Sequence, residues 1–147
     1  MCVSELSEDI QLDSQTAGVV TMFELTSDVN WAGVLAGVIL AFFIGWLWYS
    51  PLLFGPRWAA ATGVDYAGKP AIFPLVLQIL GLFLMSWFVG IMAREGLLLA
   101  TILVTLATAV IGYAGDTFAK LGNDAKLIHG GHWLTVVVAM IVMQALF

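Results

Sequence analysis

Residues 30–49 read NWAGVLAGVILAFFIGWLWY, an almost wholly apolar run. It holds no charged side chain, and at a rise of 1.5 Å per residue about 20 residues cross a hydrocarbon core ~30 Å thick. In lipid the backbone must satisfy its own hydrogen bonds, which a single continuous segment does as a helix. Ser50-Pro51 closes the run, because the residue before a proline avoids the helical region. On the other side lie residues 1–29, with Glu5, Glu8, Asp9, Asp13, Glu24 and Asp28 and neither Lys nor Arg. A cleaved signal peptide needs a basic start and a shorter apolar core. The run is therefore read as a retained membrane span behind an acidic, mobile tail. Within the tail, residues 19–25 (VVTMFEL) form an apolar patch that could dock on a membrane or a partner.

Three further runs resemble the first. Residues 73–93 read FPLVLQILGLFLMSWFVGIMA, residues 96–115 read GLLLATILVTLATAVIGYAG, and residues 132–147 read HWLTVVVAMIVMQALF. The last is short, so its helix is expected to begin near His129. The chain has 147 residues, 61% hydrophobic and only 10% charged, with a mean hydropathy of +1.00. A soluble domain carries about a quarter charged residues, so this composition belongs to the membrane class. The expected fold is all-α: a bundle of four transmembrane helices at about 30–49, 73–93, 96–115 and 129–147, preceded by the tail. The net charge of -5 and the lack of a basic face argue against a nucleic-acid partner. Cys2 is the single cysteine, which excludes an internal disulfide and a Cys/His zinc pattern. No apolar signal segment precedes it, so a lipoprotein anchor is not expected.

Polar breaks set the connections. Arg94-Glu95-Gly96 is tight, which makes the second and third spans antiparallel neighbours. Residues 116–128 are polar and contain the turn signal Gly122-Asn123-Asp124. Residues 51–70 are rich in small and apolar side chains, and Pro56 followed by Arg57-Trp58 suggests a short interfacial helix. Arg57 and Lys69 fall in the first connection, Lys120 and Lys126 in the third, and Arg94 alone in the second. The positive-inside rule then puts loops 50–72 and 116–128 in the cytoplasm and both termini outside. Trp31, Trp46, Trp48, Tyr49, Trp87, Tyr113 and Trp133 lie toward helix ends, where indole and phenol rings favour the headgroup level. For the deeper Trp46 and Trp87, packing against neighbours is the equal alternative.

Two small-residue patterns suggest close helix contacts. Gly33, Gly37, Ala41 and Gly45 recur every four residues, while Thr101, Thr105, Thr108, Gly112 and Gly115 alternate steps of four and three. Internal packing is the simpler reading of the second pattern. The first could equally face a second copy or a larger membrane complex.

Trp48-Tyr49-Ser50-Pro51, with Phe54-Gly55 and Trp58 following, works physically as an exit turn. Trp48 and Tyr49 anchor the helix end, Ser50 bonds nearby backbone, Pro51 stops the helix, and Phe54 and Trp58 fold back. The same block, with Asn30-Trp31 and Gly45 before it and Lys126-Leu127-Ile128, Gly131, His132 and Trp133 near the end, resembles an uncharacterised bacterial family. That family is domain of unknown function seventeen sixty-one, of small four-helix membrane proteins, and the resemblance covers residues 30–147. It implies four spans and a bacterial inner membrane, and brings no known substrate, cofactor or catalytic residue. The acidic tail departs from the family pattern, in which the Asn-Trp motif sits close to the start.

Gln78, Asp116, His129 and His132 are expected to gather at the cytoplasmic end. Histidines three apart share a helix face, and with Asp116 or Asp124 they are candidate metal ligands or a proton relay. The plainer reading is polar residues at the wet boundary, with Gly130-Gly131 weakening a regular helix between the two histidines. Gln78 is the more telling residue, because an amide in lipid needs a partner, most often on a neighbouring helix. Asp65-Tyr66 and Asn123-Asp124 have no visible partner in the sequence. No Lys, Arg, Asp or Glu lies near the centre of a span, which argues against an ordinary ion-coupled transporter. No nucleophile elbow, zincin motif or phosphate loop is present. The expectation is a non-enzymatic protein without a cofactor, in contact with the bilayer and self-associating or serving as a subunit of a larger complex. A small oligomeric transporter or channel, and a membrane enzyme or metal-binding protein built on His129, His132 and Asp116, are the alternatives.

Overall fold

The structure is a computed structural model that describes residues 25–66, 68 and 71–147. Its elements among these residues are five helices: α1 Trp31–Trp48, α2 Gly55–Thr62, α3 Ile72–Arg94, α4 Leu98–Phe118 and α5 Asn123–Leu146. Helices α1, α3, α4 and α5 are each long and apolar enough to cross a membrane, so the chain is an all-α, multi-pass membrane protein. Asn30 caps α1 by accepting the Gly33 N–H at 3.1 Å. Gly96, at φ +68°, makes the tight turn from α3 into α4.

The last helix differs most from expectation. It begins at Asn123, six residues before His129, and runs unbroken through Gly130-Gly131. Asn123-Asp124 form its first turn rather than a loop, where Asp124 meets the positive end of the helix dipole. Two glycines cost a helix about 1 kcal/mol each, but Gly131 lets the Trp48 ring pack close: a Cβ there would lie 3.2 Å from it. Since α4 continues to Phe118, only residues 119–122 connect it to α5, and most of the expected loop 116–128 is helix.

Helix α5 touches each of the other four helices. Buried Ala41, Leu82, Val89, Val136, Val137 and Met140 form the core between α1, α3 and α5. The strip on α1 faces inward, so it is not free for a second copy. A Cβ on Gly37 would meet Ser86 Oγ at 2.6 Å, one on Gly33 would meet Gln144, and one on Gly45 would meet His132 at 3.0 Å, while Ala41 is fully buried. Ser86 donates to the Val34 carbonyl at 2.8 Å, tying α3 to α1. On α4, Thr101 and Thr105 are buried, and their hydroxyls donate to carbonyls one turn back. Gly112 and Gly115 have no neighbour within reach of a Cβ, so the seam stops at Thr108.

Helix α2, with proline in its first turn, is docked at the start of α5. The Gly122 N–H donates to the Ala61 carbonyl at 3.1 Å, and Arg57 pairs with Asp124 at 3.0 Å. That pair is exposed and contributes little energy, but it gives Asp124 a partner. Tyr66 gains one too, donating to the Tyr49 carbonyl. At the opposite end, Trp87 Nε1 donates to the Leu25 carbonyl at 2.8 Å. Val29 is buried, so the packed unit starts before Asn30. The expected mobility of the tail, and most of its docking segment, fall on residues 1–24, outside the described residues. Trp46 points outward, 69% exposed.

Candidate functional site

The exit turn positions one side of the site. Ser50 Oγ donates to the Leu47 carbonyl at 2.7 Å and accepts the Leu52 N–H at 3.2 Å. The Phe54 N–H returns to the Trp48 carbonyl at 3.0 Å. Phe54 therefore packs on Trp48, with ring centroids 4.9 Å apart, and Trp58 lands against Tyr49 at 5.3 Å. Trp48 Nε1 donates to the Ile128 carbonyl of α5 at 3.1 Å. The motif block thus folds back onto α1 and α5.

Trp58 also reaches α5, where its Nε1 lies 2.6 Å from His129 Nε2. His129 Nδ1 lies 2.7 Å from Asp116 Oδ2 on α4. An indole N–H can only donate, so Nε2 carries the lone pair and the ring proton sits on Nδ1, donated to the carboxylate. Trp58, His129 and Asp116 thus link α2, α5 and α4 in one chain. One turn on, Trp133 Nε1 donates to Thr108 Oγ1 at 2.9 Å, a second tie between α5 and α4.

A cleft of about 370 Å³ lies beside this chain. Tyr49, Tyr113 and Trp133 give it aromatic walls, and Gln78, Thr108, Asp116, His129 and His132 give it polar ones. All four members of the expected polar cluster therefore line one cavity. They differ in state. Asp116 and His129 are bonded to each other; His132 is buried between Tyr49 and Trp48, at 5.1 and 6.0 Å, with Nε2 lacking a hydrogen-bond partner among the described residues. Gln78 sits exposed at the mouth, where a second cavity of about 310 Å³ continues along Pro74, Leu77, Gly81 and Leu82.

Both His129 nitrogens are engaged within the chain, which leaves that ring no lone pair free for a metal or for general-base work. Among the described residues, no group of three His, Cys, Asp or Glu side chains is placed to hold a metal ion.

Ser86 and Gln144, both inside the spans, escape the sequence reading. Ser86 stands in the apolar run of α3 and bonds across to α1. Gln144 of α5 has a buried Nε2 without a partner among the described residues, in space left by Gly33 and Gly90. The signal for both was available: a hydroxyl or amide in an apolar span needs a partner as much as Gln78 does.

Four spans, a docked exit turn and a lateral polar cleft define a multi-pass helical membrane protein with a cavity at the end that holds Asp116 and His129. The chain belongs to the family described as protein of unknown function (DUF1761), whose model matches residues 32–144. No curated protein and no solved structure matches the chain.

Proposed function

We propose that this is a non-enzymatic membrane protein that works by self-association, with α3 as the contact helix. The observation that carries this reading is Gln78. It lies about two turns into a spanning helix, is exposed, and makes no hydrogen bond among the described residues. An unsatisfied amide at membrane depth costs several kcal/mol, and the usual remedy is a polar group on an adjacent helix. Gly81, one turn on, has nothing within reach of a Cβ, which leaves room for another backbone to approach. A second copy brings the matching amide. The small strip on α1, the sequence's first candidate for this contact, is already used inside the chain.

Sizing the protein in lipid nanodiscs or mild detergent tests the reading. Wild type is expected to run as a dimer or larger, and Gln78→Leu to shift it to monomer at the same concentration with its helical content unchanged. A wild type that stays monomeric as concentration rises would overturn the proposal.

The same proposal places the chain in a bacterial inner membrane with both termini outside. Arg57, Lys120 and Lys126 share the end that holds the cleft, against Arg94 at the other, and this supports the orientation. Reporter fusions after Phe147 and within residues 50–66 are expected to report opposite sides, and two cytoplasmic signals would refute it.

A further inference from the structure

The Trp58–His129–Asp116 chain has an electrostatic consequence. The indole N–H points at Nε2, so His129 meets Asp116 through Nδ1, in a hydrogen bond of 2.7 Å. Asp116 is four-fifths buried, its side chain 19% exposed. Among the described residues no Lys or Arg forms an ion pair with it. Lys126, the cation on the facing helix, instead places Nζ 5.6 Å from the centre of the Tyr113 ring. A lone carboxylate thus stands in a cleft walled by Tyr49, Tyr113 and Trp133, with Gly112 and Gly130 leaving space beside it. A carboxylate withdrawn from water gains most from an opposite charge close by, and aromatic faces attract organic cations over strongly hydrated ones. A single carboxylate oxygen pair offers too few donors for a divalent ion.

We infer that this cleft binds an ammonium group, with Asp116 as its counter-ion and the aromatic rings as its walls. Trp58 is a positioning residue: it does not line the cleft, and its bond to Nε2 fixes the His129 ring against Asp116. The group can come from an amine-bearing lipid headgroup, reaching the cleft sideways from the bilayer, or from a soluble amine. Self-association through Gln78 would border the mouth of this cleft, but the inference rests on Asp116 and the aromatic walls and not on a second copy.

The test uses the full chain in nanodiscs of phosphatidylglycerol, which has no amine, with tetramethylammonium as the probe followed by NMR or calorimetry. Saturable binding is expected, weakened about tenfold or more by Asp116→Asn. That variant keeps an oxygen to accept the His129 N–H, and a retained Trp58 indole signal verifies its fold. Trp58→Phe removes the donor to Nε2 that fixes the His129 ring; it is expected to weaken binding several-fold and to shift the His129 ring resonances, and wild-type affinity in this variant would show that Trp58 does not position the site. Adding phosphatidylethanolamine to the disc decides the source: suppression of tetramethylammonium binding assigns the cleft to a lipid headgroup, and undiminished binding assigns it to a soluble amine. Absence of saturable binding in wild type, or equal binding by Asp116→Asn, overturns the inference.

Discussion

Replacing Gly55 by alanine is expected to destabilise the bundle by about 3 kcal/mol and to release α2 from α5. A Cβ at this position would run into the Tyr49 carbonyl oxygen, with the Ser50 carbonyl at 2.8 Å and the Tyr66 hydroxyl at 2.6 Å. Two of these atoms are backbone, so no side-chain rotation relieves the clash. The Gly55 N–H also donates to the Ser50 carbonyl at 3.1 Å, which ties the residue into the turn. If the turn opens, Phe54 leaves Trp48 and Trp58 leaves His129. Unfolding in graded denaturing detergent would measure the loss, and proteolysis within residues 50–66 would report the freed segment. A variant as stable and as protease-resistant as wild type would show that the turn is not what docks α2.

Gly37→Leu is expected to be at least as damaging, by about 3 kcal/mol or more, and in the monomer rather than in an assembly. A Cβ alone would lie 2.6 Å from Ser86 Oγ and 3.4 Å from Met140 Cγ. Ser86 could turn away only by giving up its bond to Val34, which leaves a buried hydroxyl unpaired at a further cost of about 1 kcal/mol. Gly115→Leu is the matched control, since nothing lies within 4 Å of that position, and it is expected to change stability little. Comparing the two variants by thermal inactivation and by particle mass separates internal packing from self-association. Loss of the oligomer with an intact, stable monomer in Gly37→Leu would return the α1 strip to an intermolecular role.

The four spans were legible because each apolar run satisfies a length that the bilayer imposes, whatever its neighbours do. The start of α5 was harder. Gly122-Asn123-Asp124 and Gly130-Gly131 carry local signals for a turn and a break, and both yield to packing: Asp124 pairs with Arg57 of α2, and Gly131 is the gap that Trp48 fills. These contacts join residues more than sixty positions apart, which no local pattern reports. The same holds for the strip on α1. Its four-residue spacing says that something approaches closely, while Ser86, Met140 and His132 say what.

The cluster of Gln78, Asp116, His129 and His132 could be placed at one end from helix lengths alone. Its internal arrangement could not. That Asp116 pairs with His129 while His132 turns toward Gly45, and that Trp58 fixes the imidazole, depends on α2 docking against α5. Residue type suggested metal or proton chemistry for the histidines. The partners taken by His129 point instead to a ring fixed between Trp58 and Asp116.

The position of α5 also bears on how the molecule is made. Among the five helices it emerges last from the ribosome, yet it is the one in contact with all the rest. Until it inserts, α1 has Ser86 of α3 to bind, but Gly33 and Gly45 face no partner, and α4 has little to rest on besides the hairpin with α3. The early pair α1 and α3 can already share Ala41, Leu82, Val89 and the Ser86 bond, whereas the inner surfaces of all four other helices are closed only by the helix made last of the five.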